Sequence, residues 1–344
     1  MHNRRGYILL LLFSILSLCM SLISLFFTRS TTYQHLMHLL LQKDRATKLA
    51  LGSIEIGQAL LAPAPEKEDP KKLPVWQKDS EKSKNYYQTF FQTIFPYLNK
   101  NTTYSLTHQE DGLQGTIELY LQSESGKLNL NSLYDVKTKK FAYEGQVGDR
   151  KKLCEWLFDK IGKITHTPSL FFAFEQYLKQ RVTDFNDVTE LLFIKEFAQT
   201  FDHAVFLQQE KTPADKVYLT DIFTIATNQE TVNPWFFSHS WCTILDIKKK
   251  NLSKEDQAKL IETFKNKANW QTDWNNSLKT IYQKEYKDLP EEIKSLLTTE
   301  CEANIFSLLL SATIGETTTT IFTIIKKQVT EKQIPFEVVK IYQI

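Results

Sequence analysis

The sequence predicts an α+β fold in which one long helix comes first, short strands and a large helical region follow, and further strands end the chain. Three observations predict this order. An uncharged apolar run from Tyr7 to Phe27 opens a helical pattern that lasts to Leu61. Apolar residues then recur at threes and fours through much of 134–297. The final segment, 298–344, alternates apolar and polar residues as strands do.

Composition and motifs exclude several classes of function. The 42 basic residues almost balance the 40 acidic ones, so the net charge is +2 and no nucleic-acid partner is predicted. The chain has only 10 glycines, and it contains no phosphate-binding glycine loop, GxSxG serine elbow or HExxH zinc motif. We therefore predict that the protein is not an enzyme and needs no organic cofactor.

The apolar run has the length of a membrane span. A helix rises ~1.5 Å per residue, so the run from Tyr7 to Phe27 crosses a bilayer core of roughly 30 Å. Arg4 and Arg5 outweigh Arg29, which keeps the amino terminus cytoplasmic and places the rest outside the cytoplasm. A cleaved secretory signal is the alternative, but the run exceeds the ~7–15 residues of a signal core and no small-x-small cleavage site follows it.

The amino-terminal segment resembles a known export signal. A short basic leader that ends in glycine, MHNRRG, precedes the apolar helix, as in the prepilin signal of type IV pilins and type II secretion pseudopilins. The resemblance implies a cut between Gly6 and Tyr7, so that 1–6 is a prepilin leader and 7–61 is a transmembrane and amphipathic pilin helix. Leu11 then occupies the fifth mature position, where most pilin-like subunits carry glutamate. An unpaired carboxylate is unfavourable in a bilayer, so Leu11 suits a subunit with no neighbour above it.

The next two segments are predicted to be a linker and the first part of the sheet. Residues 62–84 combine several prolines with alternating charges, which disfavours both helix and strand and indicates a linker. Residues 85–133 begin the sheet domain, with a short amphipathic helix over Asn85–Leu98. The alternating stretch Thr116–Leu121 then predicts a strand that turns at Gly126 and pairs with Lys127–Leu133 as a hairpin.

The string GKLNLNSL, from Gly126 to Leu133, narrows the resemblance to one family. It is similar to the signature of the minor pseudopilin called general secretion pathway protein K, where it leads into an inserted helical domain. Asparagines are depleted in strands, so those in this string need local hydrogen-bond partners. The family usually has two acidic residues before the glycine, whereas this chain has Ser123 and Glu124. The residues that carry the match are Gly126, Lys127, Asn129 and Asn131.

Residues 134–297 are predicted to form that inserted helical domain. Helical spacing is clear over Leu153–Ile164 and Ser169–Val182, and Ser253 with Asp256 marks the start of another helix.

A capping box inside this domain carries a second resemblance. Asp187 and Glu190 have the spacing of a capping box at the start of DVTELLFIKEF. This stretch is similar to the family's SAM-like helical unit, although Glu196 stands where the family prefers glycine. DNA-binding helix-hairpin-helix units need a glycine there so that backbone amides reach phosphate, and Glu196 would repel it.

Cysteine spacing leaves two interpretations open. Of the exported cysteines, Cys154 and Cys242 are the pair best placed to form a disulfide in an oxidising compartment, which leaves Cys301 over. Free buried thiols are the other interpretation.

Metal ligands are not assigned. His239 and Cys242 have a spacing that offers two ligands, but no second pair lies nearby and ordinary packing is favoured. Asp111, Glu124 and Asp135 could supply oxygens, and members of the resembled family can bind calcium. No DxDxDG loop is present, so the metal residues stay unknown.

The last segment is predicted to complete the sheet. Ile305–Ala312, Thr318–Ile325 and Phe336–Ile344 alternate, and Gly315 turns the first into the second. This predicts a β-meander of three antiparallel strands in 298–344. Together with the resemblance, the predicted fold is a pilin-like long helix on an antiparallel sheet, with a large SAM-like helical domain inserted.

The resemblance implies a structural function. It is that of the minor pseudopilin at the tip of the type II secretion pseudopilus, in the inner membrane with a single span and its carboxy-terminal domain in the periplasm. The implied partners are the minor pseudopilins of I and J type, the inner-membrane secretion platform and a prepilin peptidase. The alternative is a single-span, signal-anchored periplasmic enzyme or binding protein, which predicts a deep pocket with convergent polar groups.

Overall fold

A computed structural model of the chain describes residues 4–61, 94–207, 216–250, 252–265, 277–298, 303–328 and 336–344. Its first element is one unbroken helix, α1 (Arg4–Leu61), of 58 residues, which is about 85 Å long at 1.5 Å per residue. The predicted linker 62–84, most of the predicted helix Asn85–Leu98 and Cys301 lie outside the described residues. Of Asn85–Leu98 the structure describes residues 94–98, which contain one 3-10 turn, Phe95–Tyr97. Pro96 lies in the first positions of this turn, where a proline is tolerated because its missing N–H would have no partner within the turn.

A five-stranded antiparallel sheet forms the second layer. Its spatial order is β1-β2-β7-β8-β9, so the chain makes two neighbouring strands, leaves the sheet, and returns to add three more. The predicted carboxy-terminal meander is confirmed. The five strands are β1 (Asn101–Leu106), β2 (Gly115–Ser123), β7 (Ile305–Ile314), β8 (Thr317–Lys327) and β9 (Phe336–Gln343).

The sheet has a helix on one face and the insert on the other. Alternation along β2 puts Leu119 and Leu121 towards α1, beside Leu308 and Leu310 of β7. The opposite face carries Gln122 and its neighbours, which contact the insert. Farther from the insert this second face becomes polar, with Ser311 hydrogen-bonded to Thr320 and Thr313 to Thr318, each at 2.9 Å. The predicted α+β class, with a long helix on an antiparallel sheet and helices inserted between its strands, is confirmed.

The predicted hairpin is wrong. After Ser123 the chain forms a 3-10 turn, Glu124–Gly126, and a two-residue strand β3 (Leu128–Asn129) that pairs in parallel with β6 (Phe223–Thr224). A further 3-10 turn, Leu130–Ser132, follows. The physical reason is that both edges of β2 are already occupied, by β1 on one side and by β7 on the other, so no ladder position is left for Lys127–Leu133.

The insert is built from short helices around an aromatic core. The rings of Phe158, Phe174 and Phe197 come from three different helices and meet edge to face, with centroids 4.9 Å and 5.3 Å from that of Phe158. The remaining short strands are β4 (Tyr134–Asp135) and β5 (Lys140–Phe141). Helix α2 (His108–Asp111) lies between β1 and β2. The helices of the insert include α3 (Arg150–Thr165), α4 (Phe171–Gln180), α5 (Lys195–Thr200), α6 (Leu219–Ile222), α7 (His239–Ile244), α8 (Lys254–Lys265) and α9 (Glu291–Lys294).

Two predicted helix starts are found, with one difference. Ser253 and Asp256 exchange backbone-to-side-chain hydrogen bonds of 3.1 Å and 3.2 Å at the start of α8. The capping box of Asp187 and Glu190 also forms, but it opens a 3-10 segment, Val188–Phe193, and not an α-helix. Ile194 then takes an extended conformation, so α5 begins as a separate helix.

Candidate functional site

Helix α1 has two surfaces that differ along its length. From Leu11 to Arg29 every side chain is exposed, although most of them are apolar. In the part of the chain that the structure describes, this is the helix whose length and composition allow it to cross a membrane. Gly6 and Tyr7 lie in its first turns, and Leu11 lies exposed one turn later.

The second half of α1 packs on the sheet through small residues. Ala46, Ala50, Ser53 and Gly57 are buried at spacings of three and four, and they face β7 and β8. A Cβ on Gly57 would lie 2.5 Å from Cδ1 of Leu308, so the helix backbone lies close against the sheet. This packing makes the helix and the sheet one body.

A second, exposed stripe on α1 lies between these two parts. Its residues recur at three- and four-residue intervals and are 50–67% exposed. An exposed apolar stripe of this length on a helix is typical of a protein–protein interface. The stripe consists of Tyr33, Leu36, Met37, Leu40 and Leu41.

The string GKLNLNSL forms the junction between sheet and insert. Lys127 is only 1% exposed, and its ammonium forms an ion pair with the carboxylate of Glu124. It also donates to Oγ of Ser307 on β7, at 3.0 Å. The second carboxylate oxygen of Glu124 accepts from Oγ1 of Thr224 on β6. One buried ion pair therefore connects the middle of the sheet to the insert.

A second buried polar contact lies beside the first. Gln122, at the end of β2, donates to one carboxylate oxygen of Asp221, and the other oxygen accepts from the backbone N–H of Ser240 at 2.7 Å. Oγ of Ser240 in turn accepts from the N–H of Tyr218 at 2.9 Å. Buried polar groups with several satisfied bonds of this kind fix one arrangement of the elements that they join.

The side chains of Asn129 and Asn131 both form hydrogen bonds with backbone groups. Nδ2 of Asn129 donates to the carbonyl of Thr227 at 2.6 Å, and its Oδ1 accepts from the N–H of Asn131 at 3.0 Å. Asn131 pairs with the backbone of Phe185 in both directions, at 2.8 Å and 3.0 Å. Each asparagine side chain thus forms hydrogen bonds with the backbone of a loop of the insert, as a neighbouring strand would.

Gly126 is required by a close approach of two backbones. A Cβ at this position would overlap the carbonyl group of Phe236. Phe236 follows Asn233, whose N–H donates to the carbonyl of Ser125 at 2.7 Å. The four residues of the family motif therefore form one structural junction. The sequence identified these residues but not the residues that they contact. Glu124, three residues before Lys127, is the one partner that its spacing could have indicated.

Asp187 holds the insert against the edge of the sheet. Its carboxylate accepts from Nζ of Lys340 and from the hydroxyl of Tyr342 (2.6 Å), both on β9. Burial alone would raise the pKa of Asp187, but the hydrogen bonds from Lys340, Tyr342 and Thr189 outweigh it and hold the pKa below its usual value.

Replacing Asp187 by asparagine is expected to reduce the free energy of unfolding by about 1–2 kcal/mol at pH 7, because charge-assisted hydrogen bonds are lost. The folded-state pKa is lowered, so this contribution is present above about pH 4 and is lost as the pH falls further. Urea unfolding of the full chain in detergent micelles measures both effects. Asp184→Asn, at a nearby exposed carboxylate, is the matched control. Equal losses in the two variants would contradict the role of Asp187.

The two cysteines predicted to pair and the three candidate calcium ligands all lie in described parts of the chain. Cys154 and Cys242 are free thiols, so the disulfide between them does not form. Each of the three candidate calcium ligands has its own neighbours: Asp111 accepts from the N–H of Thr107, Glu124 pairs with Lys127, and Asp135 accepts from Thr138. Within the described residues, no three His, Cys, Asp or Glu side chains are grouped as a metal site.

Comparison with known proteins gives a similarity among solved structures. No protein-family model matches the chain, and no curated protein matches it. Among solved structures, the chain is similar to one chain of the GspK-GspI-GspJ complex from the type 2 secretion system of enterotoxigenic Escherichia coli. The match covers 92% of this chain and 99% of that one, with 13% sequence identity and a TM-score of 0.43.

Proposed function

We propose that this protein is a structural subunit of a type II secretion pseudopilus, the minor pseudopilin at its tip. One observation carries the proposal: α1 is a single helix whose first half is apolar and exposed and whose second half is buried on the sheet. A helix of this kind connects a bilayer rigidly to a folded domain outside it. The prepilin-like leader, with Gly6 before Tyr7, supports processing at the cytoplasmic face and retention of the helix as an anchor.

The exposed stripe of α1 supplies the assembly surface. Tyr33, Leu36, Met37, Leu40 and Leu41 would be in water if the subunit stood alone, and burying them against neighbouring helices is favourable by roughly 25 cal/mol per Å². Other minor pseudopilins, of I and J type, are the partners with matching helices. The secretion platform and a prepilin peptidase complete the set of partners that this function requires.

Two features support a position at the tip. The insert occupies one face and one end of the sheet, through Asp187 and the junction at Lys127, so that it adds bulk where a subunit above would sit. Leu11 provides an apolar side chain in the span where a carboxylate would need the amino terminus of a neighbour. At the tip that neighbour is missing. Capping would then initiate filament extension and export of folded proteins.

The mature amino terminus tests the anchor. Mass spectrometry of the protein from cells with a prepilin peptidase is expected to show a chain that begins at an N-methylated Tyr7, and a Gly6→Lys variant should keep its leader. An intact Met1, or a cut after residue 27, would contradict the proposal and favour a signal-anchored enzyme or binding protein.

Charge substitution on the stripe tests assembly. Leu40→Glu is expected to reduce co-purification with I- and J-type pseudopilins by at least tenfold, because it places a charge in an apolar helix interface. His38→Glu introduces the same side chain on the same helix, at an exposed position off the stripe, and should have little effect. If both variants co-purify equally well, the stripe is not the assembly surface.

A further inference from the structure

A half-buried lysine without an acidic partner lies between the sheet and the insert. Nζ of Lys249 donates to the carbonyl of Leu98 at 3.3 Å and lies 5.0 Å from the ring centroid of Phe95. In the described part of the chain no carboxylate pairs with this ammonium, although its neighbour Lys250 has Asp256 at 3.0 Å. A cation in such a place is stabilised by an anion that enters from outside.

The lysine opens into a cavity of about 530 Å³, a volume in the range of small-ligand sites. Lys249 also lines a second cavity of about 160 Å³, together with Phe95 and Leu98. Both polar and aromatic side chains line the larger cavity, which suits a ligand with a charged end and an apolar side chain. Its lining includes Asn99, Tyr120, Phe237, His239, Cys242 and Lys249.

Two buried polar atoms of this lining have no partner among the described residues. Nδ2 of Asn99 donates to the carbonyl of Phe237 at 3.0 Å, which fixes the amide and leaves its Oδ1 buried and unbonded. Nε2 of His239 is also buried without a hydrogen bond. Unsatisfied buried groups cost free energy, so a ligand that bonds to them is favoured. The amide oxygen needs a donor, and the imidazole can donate to an anion.

We propose that this cavity binds a carboxylate with an adjacent N–H donor, the chemistry shared by a peptide carboxy terminus and a free amino acid. The carboxylate is held by Lys249 and His239, and the N–H donates to Oδ1 of Asn99. The aromatic rings of Tyr120 and Phe237 contact the last side chain of the ligand. Among the described residues, none of α1 lines this cavity.

The pH dependence of binding depends on which titratable groups around Lys249 change their charge near neutral pH. Burial raises the pKa of the Cys242 thiol to about 12 and that of Tyr120 well above its usual value, so both stay neutral. Asp246, Lys248 and His239 also border the cavity, and Lys100 lies near the smaller one. Burial lowers the pKa of Lys249 to about 8. Binding should therefore be strongest below pH 8 and weaken above it, as the ammonium loses its proton.

Isothermal titration calorimetry of the full chain in detergent micelles tests the site. N-acetyl-alanyl-phenylalanine is expected to bind at pH 7, its carboxy-terminal amide at least tenfold more weakly, and the wild-type affinity for the acid should fall about tenfold between pH 7 and pH 9. Free phenylalanine separates the two sources: binding as tight as that of the dipeptide indicates an amino-acid site, and weaker binding indicates a peptide end. Failure of both acids to bind overturns the proposal.

Variants locate the binding at this cavity. Lys249→Gln should weaken binding of the dipeptide acid at least tenfold, whereas Lys195→Gln, at an exposed lysine outside the lining of this cavity, should change it less than threefold. Asn99→Asp, which repels a carboxylate, should also weaken it at least tenfold. Circular dichroism verifies that each variant is folded, and if Lys249→Gln is not, Asn99→Asp and the pH dependence of the wild type decide. Unchanged affinity in the folded variants, or between pH 7 and pH 9, would overturn the assignment.

Discussion

Replacing Lys127 by methionine is expected to lower the free energy of unfolding by about 3–5 kcal/mol, because it leaves the carboxylate of Glu124 buried without its cation. Thr224 would be its one remaining hydrogen-bond partner among the bonds described at this junction. The same change removes the bond to Ser307, which is the direct connection from the ion pair to β7. Urea unfolding of the full chain in micelles, followed by the fluorescence of the buried Trp235 and Trp241 of the insert, measures the loss.

A matched lysine and a double variant separate this effect from the loss of any ion pair. Lys163 forms an exposed pair with Asp159, so Lys163→Met should cost no more than about 0.5 kcal/mol. The double variant Glu124→Gln with Lys127→Met removes both charges and should be clearly more stable than Lys127→Met alone. A loss below about 1 kcal/mol in Lys127→Met would show that the ion pair is not buried as described.

Alanine at Gly126 is expected to cost about 3 kcal/mol, because its Cβ would overlap the carbonyl group of Phe236 and backbone on one side must move. The movement would also disturb the bond from Asn233 to Ser125. The same urea titration measures the change. A shift in the midpoint, with an unchanged dependence of stability on urea, would indicate lower stability of the same fold.

Gly52 provides the control for the glycine change. It lies in α1 with nothing within 4 Å of an added Cβ, so Gly52→Ala should stabilise the helix by about 0.5–1 kcal/mol. Opposite signs at Gly126 and Gly52 are therefore expected from the same substitution. If Gly126→Ala is tolerated as well as Gly52→Ala, the close contact with Phe236 does not exist in solution.

The largest elements could be predicted from the sequence because their patterns are local. The apolar run and its helical continuation give α1 to Leu61, and alternation gives the strands from Ile305 to the end of the chain. The capping box at Asp187 was predicted from spacing alone, but its hydrogen bonds open a 3-10 segment, since the box fixes only where the turn begins. Local sequence patterns thus predicted where an element begins better than they predicted whether it is an α-helix or a 3-10 segment.

Lys127–Leu133 shows where local patterns fail. Its leucines alternate as they would in a hairpin strand, yet β1 and β7 occupy both edges of β2 and the segment pairs with β6 instead. The pairing of β2 with β7 joins residues almost two hundred positions apart, and no pattern within 116–133 contains that information. The cavity at Lys249 was missed for the same reason, since its lining comes from the turn before β1, from β2 and from the region of α7.

By itself the sequence determined that the chain begins with an apolar helix long enough to span a bilayer, that helices interrupt its strands, and that Gly126, Lys127, Asn129 and Asn131 form a distinctive string. Only the tertiary structure decided what that string does. Periodicity and propensity depend on neighbours along the chain, whereas the burial of Lys127 and its bond to Ser307, 180 residues away, depend on how strands and insert meet in space.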